Sequence, residues 1–189
     1  MMCKVVFLLE ERSMKALLEG LMPRFFPDLK FQCVQHEGKH DLEKSIPRKL
    51  RGWQEPGVHF VVVYDNDRGN CIELKQRLTA LCNESGRPDT LVRIACQELE
   101  AWYFGDTEAL SLAFDKKQLR TIGDKARYRD PDSMAYPSKE LSKLIPEFQK
   151  ISGARKMSVH LSRTANRSGS YHELMDGIER LAASMSLPE

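Results

Sequence analysis

The run Val58-His59-Phe60-Val61-Val62-Val63-Tyr64, opened by Gly57 and ending in Asp65-Asn66-Asp67-Arg68-Gly69, narrows the fold class more than any other segment. It is rich in β-branched and aromatic residues and too short for a buried helix. It also lacks the alternation of a strand with one wet face, so it matches a strand covered on both sides, as in parallel sheets. Parallel neighbours need a long crossover, usually a helix, and the sequence supplies one after each apolar run.

Residues 3–9 (Cys-Lys-Val-Val-Phe-Leu-Leu) form the first such run. After Ser13, the residues Met14, Ala16, Leu17, Leu18, Leu21 and Met22 recur at helical spacing, and Pro23 and Pro27 are expected to close that helix. A strand is expected over Leu29–His36, then a helix capped by Asp41 and running to Leu50, limited or kinked by Pro47. Ile72, Leu74, Leu78 and Leu81 mark a third helix ending by Gly86, and Leu91–Cys96 reads as a fourth strand. Strands alternating with helices predict an α/β fold, a small parallel, Rossmann-like sheet of about four strands with flanking helices. Further helices are expected over Leu99–Leu112 with a break at Gly105-Asp106, and over Ser138–Phe148, Gly153–Leu161 and Ser170–Ser184. Residues 115–136 read as a polar loop with short turns. The expected organisation is an α/β core over 1–105 and a helical extension over 106–189 packed on it.

Composition supports one sizeable core: of 189 residues, 41% are hydrophobic and 30% charged, too apolar for disorder. The net charge of +2 decides nothing about nucleic acid. Cys3, Cys33, Cys71, Cys82 and Cys96 are odd in number and show no Cys-x-x-Cys spacing, which argues against a disulfide framework or zinc knuckle and for reduced thiols. With no signal-peptide core and no apolar stretch of spanning length, a cytoplasmic protein without a membrane segment is expected. There is no Walker A motif, and no Ser/His/Asp constellation stands out.

Ligands of open parallel sheets gather beyond the carboxyl ends of the strands. Here the strands end at Glu10, at His36-Glu37, at Asp65-Asn66-Asp67 and at Gln97-Glu98. If the first and third strands are neighbours, Glu10 meets Asp65 and Asp67. Such carboxylates repel one another without a cation, and Mg²⁺ takes one or two of them while keeping several waters. The competing structural reading is that Asp65 and Asp67 form a turn and that Glu10 favours a helix N-terminus. Lys39 at the same edge suits a phosphate contact or an ordinary surface lysine equally. His36 and His40, separated by Gly38, read as loop histidines rather than metal ligands. Lys125, Arg127, Arg129, Lys139, Arg155, Lys156, Arg163 and Arg167 are diluted by acids and read as scattered surface charge. Trp102 reads as core, and Tyr128 and Tyr136 as aromatics able to stack on bases.

The segment Phe7-Leu8-Leu9-Glu10-Glu11-Arg12-Ser13 before a helix, with Val61-Val62-Val63-Tyr64-Asp65-Asn66-Asp67, resembles the Toprim domain of topoisomerases, primases, small ribonucleases and OLD-family nucleases. Cys96-Gln97-Glu98-Leu99-Glu100-Ala101-Trp102-Tyr103-Phe104-Gly105-Asp106 is similar to the Glu-x-Trp stretch of a bacterial Toprim-like family of unknown function, related to OLD-type nucleases and often beside an ABC-type ATPase in phage defence. The resemblance implies a phosphodiester-cleaving enzyme dependent on Mg²⁺ or Mn²⁺, acting on DNA or RNA. In it Glu10, Asp65 and Asp67 hold metal, and Glu10 either ligates or acts as general base. Glu11 stands where many Toprim domains have glycine and could share the role of Glu10. Gly69 occupies a position that is acidic in some members, so Glu100, or less favourably Glu98, is the replacement. The alternatives are a non-catalytic or partner-activated subunit docked on the ATPase, and a phosphoryl-transfer enzyme on small molecules.

Overall fold

The computed structural model describes residues 3–185. The apolar runs become β1 (Lys4–Leu9), β2 (Phe31–Gln35), β3 (Val58–Asp65) and β4 (Leu91–Ala95), all parallel, in the order β2-β1-β3-β4. Leu9 lies opposite Gln35 on one side and Val63 on the other, and Asp65 lies opposite Ala95. From β1 the chain turns one way to β2 and the other way to β3. The carboxyl edge between β1 and β3 is therefore the topological switch point, where an open sheet leaves a crevice.

Both faces of the sheet are covered. Val6, Leu8, Phe60 and Val62 pack against Leu42 and Ile46 of α2 (Lys39–Gly52) and against Leu78 and Cys82 of α3 (Cys71–Glu84). Val5, Phe7, Leu9, Val61 and Val63 face Leu17 and Leu21 of α1 (Arg12–Phe25) and share their core with Trp102, Tyr171 and Leu174. Trp102 belongs to α4 (Ala101–Gly105), followed by α5 (Thr107–Phe114), four short 3₁₀ turns between Lys117 and Ser133, α6 (Pro137–Leu144), α7 (Lys150–His160) and α8 (Gly169–Met185). α7 lies along α1, and α8 lies against β4. Full burial of each large apolar side chain contributes roughly 1.5–3 kcal/mol, so the inner strands are held from both sides. Among the described residues no helix is long and apolar enough to cross a membrane.

Several boundaries differ from those the sequence predicts. α1 continues through Pro23 to Phe25, its far half supported by α7. α2 starts at Lys39, not at Asp41. Asp41 reaches back from the first turn instead, accepting at 3.0 Å the N–H of Glu37, the residue before the Gly38 cap, and Pro47 lies within the helix. α6 ends at Leu144 rather than Phe148 because Ile145 precedes Pro146 and leaves the helical region (φ −133°, ψ 82°). α7 begins at Lys150, so Gly153 lies inside the helix, at a place where a Cβ would come within 2.3 Å of the Phe148 ring.

Gly20 marks the closest approach of α1 to α7: an added Cβ would lie 2.1 Å from Ser158 Oγ and 2.5 Å from Ser158 Cβ. Overpacking of this kind costs about 1–3 kcal/mol, more than the roughly 1 kcal/mol alanine gains over glycine in a helix. Gly20→Ala is therefore expected to lower stability, and adding Ser158→Gly to recover most of the loss. Urea denaturation of the two single variants and the double variant measures the coupling.

Candidate functional site

β1 and β3 deliver Glu10 and Asp65 side by side. Glu10 Oε2 accepts the Asp65 N–H at 3.3 Å, and its own carbonyl accepts the Gly38 N–H at 3.1 Å. Asp65 is buried on the α1 face of the sheet, where Oδ2 accepts the Leu99 N–H at 3.3 Å. The turn after β3 is tied to the turn after β4 through Asn66. Its Oδ1 accepts the Gln97 N–H at 2.8 Å, and its Nδ2 donates to Gly69 O at 2.8 Å. The Asp67 N–H donates to Gln97 O at 2.9 Å. Asp67, Arg68 and Gln97 have positive φ (45°, 69° and 61°), conformations uncommon for non-glycine residues and held here by the surrounding bonds.

The second turn brings in Glu100. It is 1% exposed, and neither carboxylate oxygen has a hydrogen-bond partner among the described residues. Burial disfavours its charged form and, despite Lys150 nearby, pushes its pKa up to about 7, with Glu11 and Glu98 adding to the rise. Glu10 is also raised to about 7, chiefly by burial; Lys39 and the Asp65 N–H oppose this, and Asp67 and Glu11 reinforce it. Asp65 lies well above the ordinary carboxylate range through burial and the charges of Glu10, Glu100 and Glu11. These mutual effects place Glu10, Glu11, Asp65 and Glu100 in one electrostatic cluster. Its counter-charge is Lys150, whose Nζ is 3.2 Å from Glu11 Oε2. Burial disfavours the ammonium, but Glu100, Glu11 and Asp65 together raise its pKa.

The other sequence candidates take different places. Asp67 is at the exposed rim, paired with Lys39 at 2.5 Å, and Lys39 stays near enough to Glu10 to act on its charge. Glu11 precedes α1, accepts from Ser13 Oγ at 2.5 Å and pairs with Lys150. Glu98 turns away from Glu100: its Oε2 accepts the Ser138 N–H at 2.8 Å in the first turn of α6, where a carboxylate satisfies a free donor. His36 is buried with Nδ1 2.9 Å from Leu9 O. It lines a cleft of about 310 Å³ with Glu10, Glu11 and Lys150. Lys150 is the site residue that sequence reading missed. It lies 139 positions from Glu11, and only the packing of α7 on α1 brings it there.

Among the described residues, no three His, Cys, Asp or Glu side chains form a ready-made cage for an ion. An open site of the Mg²⁺ kind needs less: one or two carboxylates and room for water. The unpartnered oxygens of Glu100, within electrostatic reach of Asp65, fit that donor set, and Glu10 meets the Asp65 N–H from the other side.

Glu10 and Glu100 have folded-state pKa values above the ordinary 4.5. The folded protein therefore binds more protons than the unfolded chain as pH rises through the window from about 4.5 to about 7. The stability that these two groups contribute without metal is present in full below that window and is lost progressively across it, and Asp65, raised in the same direction, acts with the same sign. For Glu100 alone the shift corresponds to roughly 3 kcal/mol. Thermal midpoints of the chelator-treated protein are expected to fall between pH 5 and pH 8, and millimolar Mn²⁺ to restore stability at pH 8 but not at pH 5.

Solved structures share the architecture. The C-terminal region of the Burkholderia pseudomallei OLD protein superposes with a TM-score of 0.58 over 96% of this chain and 100% of that one, at 15% identity. The C-terminal region of the Xanthomonas campestris pv. campestris OLD protein gives 0.56 over 96% and 97%, at 13% identity. The likeness is one of fold: a four-stranded parallel sheet flanked by helices, similar to these OLD C-terminal regions. No curated protein matches the chain. The model of the family described as "Domain of unknown function (DUF4276)" matches residues 9–179, from the end of β1 into α8, and the chain belongs to that family.

Proposed function

We propose that this chain is a divalent-metal-dependent phosphodiester hydrolase, a nuclease of Toprim type. The observation that carries the reading is the pair of buried, unpartnered Glu100 oxygens within electrostatic reach of buried Asp65, whose N–H the Glu10 carboxyl accepts. A carboxylate left without partners in a dry site is costly, and a second cation beside Lys150 would relieve it. Asp65 and Glu100 would hold Mg²⁺ or Mn²⁺, with Glu10 completing the set or acting as base. When bound, the ion supplies a Lewis acid for phosphoryl oxygens and a lowered pKa for its water.

The chain's own groups support the rest of the chemistry. A Glu10 carboxyl with pKa near 7 is matched to accepting a proton from water at neutral pH. It opens to the cleft that Lys150 also lines. Lys39 at the rim is a cation suited to a phosphate, with Asp67 as its resting partner. Beyond Asp67, Arg68 lies 4.5 Å and Lys139 lies 4.6 Å from the Tyr136 ring centroid. Cations with an exposed aromatic along one rim suit a nucleic-acid backbone and its bases. This favours a polynucleotide over a small phosphoester. The family resemblance adds an ABC-type ATPase as a partner and phage defence as a setting.

Purified protein with Mg²⁺ or Mn²⁺ is expected to cleave DNA or RNA, alone or with such an ATPase added. Asp65→Asn and Glu100→Gln are each expected to slow cleavage by roughly 100-fold or more. Both should also raise the metal-free thermal midpoint at pH 8, because each removes a buried charge. Gel assays on plasmid and labelled RNA, with calorimetry, read the two effects. A carboxylate kept only for structure would lose stability when neutralised, and cleavage that survives Asp65→Asn removes the proposal. Turnover of mononucleotides without polynucleotide cleavage would favour the small-molecule reading.

A further inference from the structure

Beside the acidic cluster, the turn after β3 and the turn after β4 bring together two thiols that the proposed hydrolysis does not use. Cys71 is the first residue of α3, Cys96 directly follows β4, and their Sγ atoms are 3.0 Å apart. Both are half-buried and free. Their surroundings fix them: Asn66 Nδ2 donates to Cys71 Sγ at 2.9 Å. The Cys96 N–H donates to Ser170 Oγ at 3.2 Å, and that hydroxyl in turn donates to Asp132 Oδ1 at 3.1 Å. A disulfide needs its sulfurs near 2.05 Å, so closing this pair takes a movement of about one ångström. By sequence the two are 25 positions apart without a recognised motif, and the odd cysteine count points away from any bridge.

We propose that Cys71 and Cys96 are a reversible oxidation site: a peroxide converts the pair to a disulfide that locks the two metal-site turns together. The reaction balances in two steps. The Cys71 thiol takes one oxygen from hydrogen peroxide, becoming a sulfenic acid and releasing water. The Cys96 sulfur then attacks the Cys71 sulfur, the Cys96 proton and the sulfenic hydroxyl leave as a second water, and the S–S bond forms. The order follows from the geometry: Cys71 borders the open turn 67–70, whereas Cys96 lies under Ser170. Burial, and then Cys71 itself, raise the Cys96 thiol pKa, consistent with Cys96 as the resolving partner. In a reducing compartment the pair rests as thiols. The bridge joins the segment leading from Asp65 and Asp67 to the segment leading to Glu98 and Glu100. It does not depend on whether the acidic cluster binds metal.

The test is peptide mapping of the wild-type chain after brief hydrogen peroxide treatment. Trypsin separates Cys71 in peptide 69–75 from Cys96 in peptide 94–116. The expected result is one intramolecular bridge between these peptides, with the loss of two hydrogens, reversed by dithiothreitol. Closing this loop should raise the thermal midpoint by roughly 5–10 °C, and Cys71→Ser and Cys96→Ser should each abolish both the bridge and the shift. Bridges to Cys3, Cys33 or Cys82, bridges between chains, or over-oxidation of Cys71 with Cys96 left as a thiol would overturn the proposal. The mapping needs neither nuclease activity nor metal, so its outcome is distinguishable from failure of the hydrolase reading.

Discussion

Glu10 and Asp65 meet because β1 and β3 are hydrogen-bonded neighbours in the sheet. Both strands are buried on both faces, and period-2 alternation ties register to packing. A slip of one residue in β3 would send Val61 and Val63 to the α2 and α3 layer and carry Asp65 with them. The apolar interior therefore fixes where the carboxyls fall, although they contribute nothing to it. Once β1 and β3 pair with Leu9 opposite Val63, Glu10 reaches the Asp65 N–H without help from any other element. Clustering costs stability through like charge and lost hydration. The two-sided core offsets that cost.

The second half of the chain does more than cover a sheet face. Asp132, on the last 3₁₀ turn, accepts from Ser168 Oγ at 2.6 Å and from the Ser170 N–H at 2.7 Å. Ser170 Oγ also accepts from the Trp102 indole at 2.9 Å. This network anchors the polar loop, α4 and α8 against the end of β4, and so holds the turn that carries Glu100. The Ser138 N–H draws Glu98 aside to α6. Two acids only two positions apart are thereby divided between a helix terminus and the buried cluster.

Much of this was legible in the sequence because it follows from local pattern. Consecutive apolar residues announced the strands, and the break at Gly105-Asp106 separates α4 from α5, with Asp106 capping α5 by accepting the Ala109 N–H at 3.0 Å. That Glu10, Asp65 and Asp67 fall at one edge could be read because the strand ends of a parallel sheet share it. The separation of Glu98 from Glu100 could not be read, because it depends on α6 presenting a free N–H from forty residues away. Nor could the outward lean of Asp67, which rests on a positive φ and on Lys39 from another crossover. The missed boundaries have separate causes: Pro23 reads as an end but lies inside α1, Asp41 reads as a cap but sits in the first turn of α2, and α6 ends early because Ile145 precedes Pro146.

Lys150 shows most clearly how tertiary structure overrides local preference. It is the first residue of α7, where a cation opposes the helix macrodipole by about 0.3–1 kcal/mol. Nothing within α7 accounts for a lysine there. The carboxyls of Glu11, Glu100 and Asp65 do, since all three favour its charge. Lysine is also the residue suited to a provisional counter-charge: a compact ammonium on a flexible stem, half-exposed here, rather than a rigid guanidinium fork. With it in place, the cluster can fold without a bound ion. Glu100 still keeps both oxygens unpartnered, so the single ammonium moderates the buried charge without satisfying it.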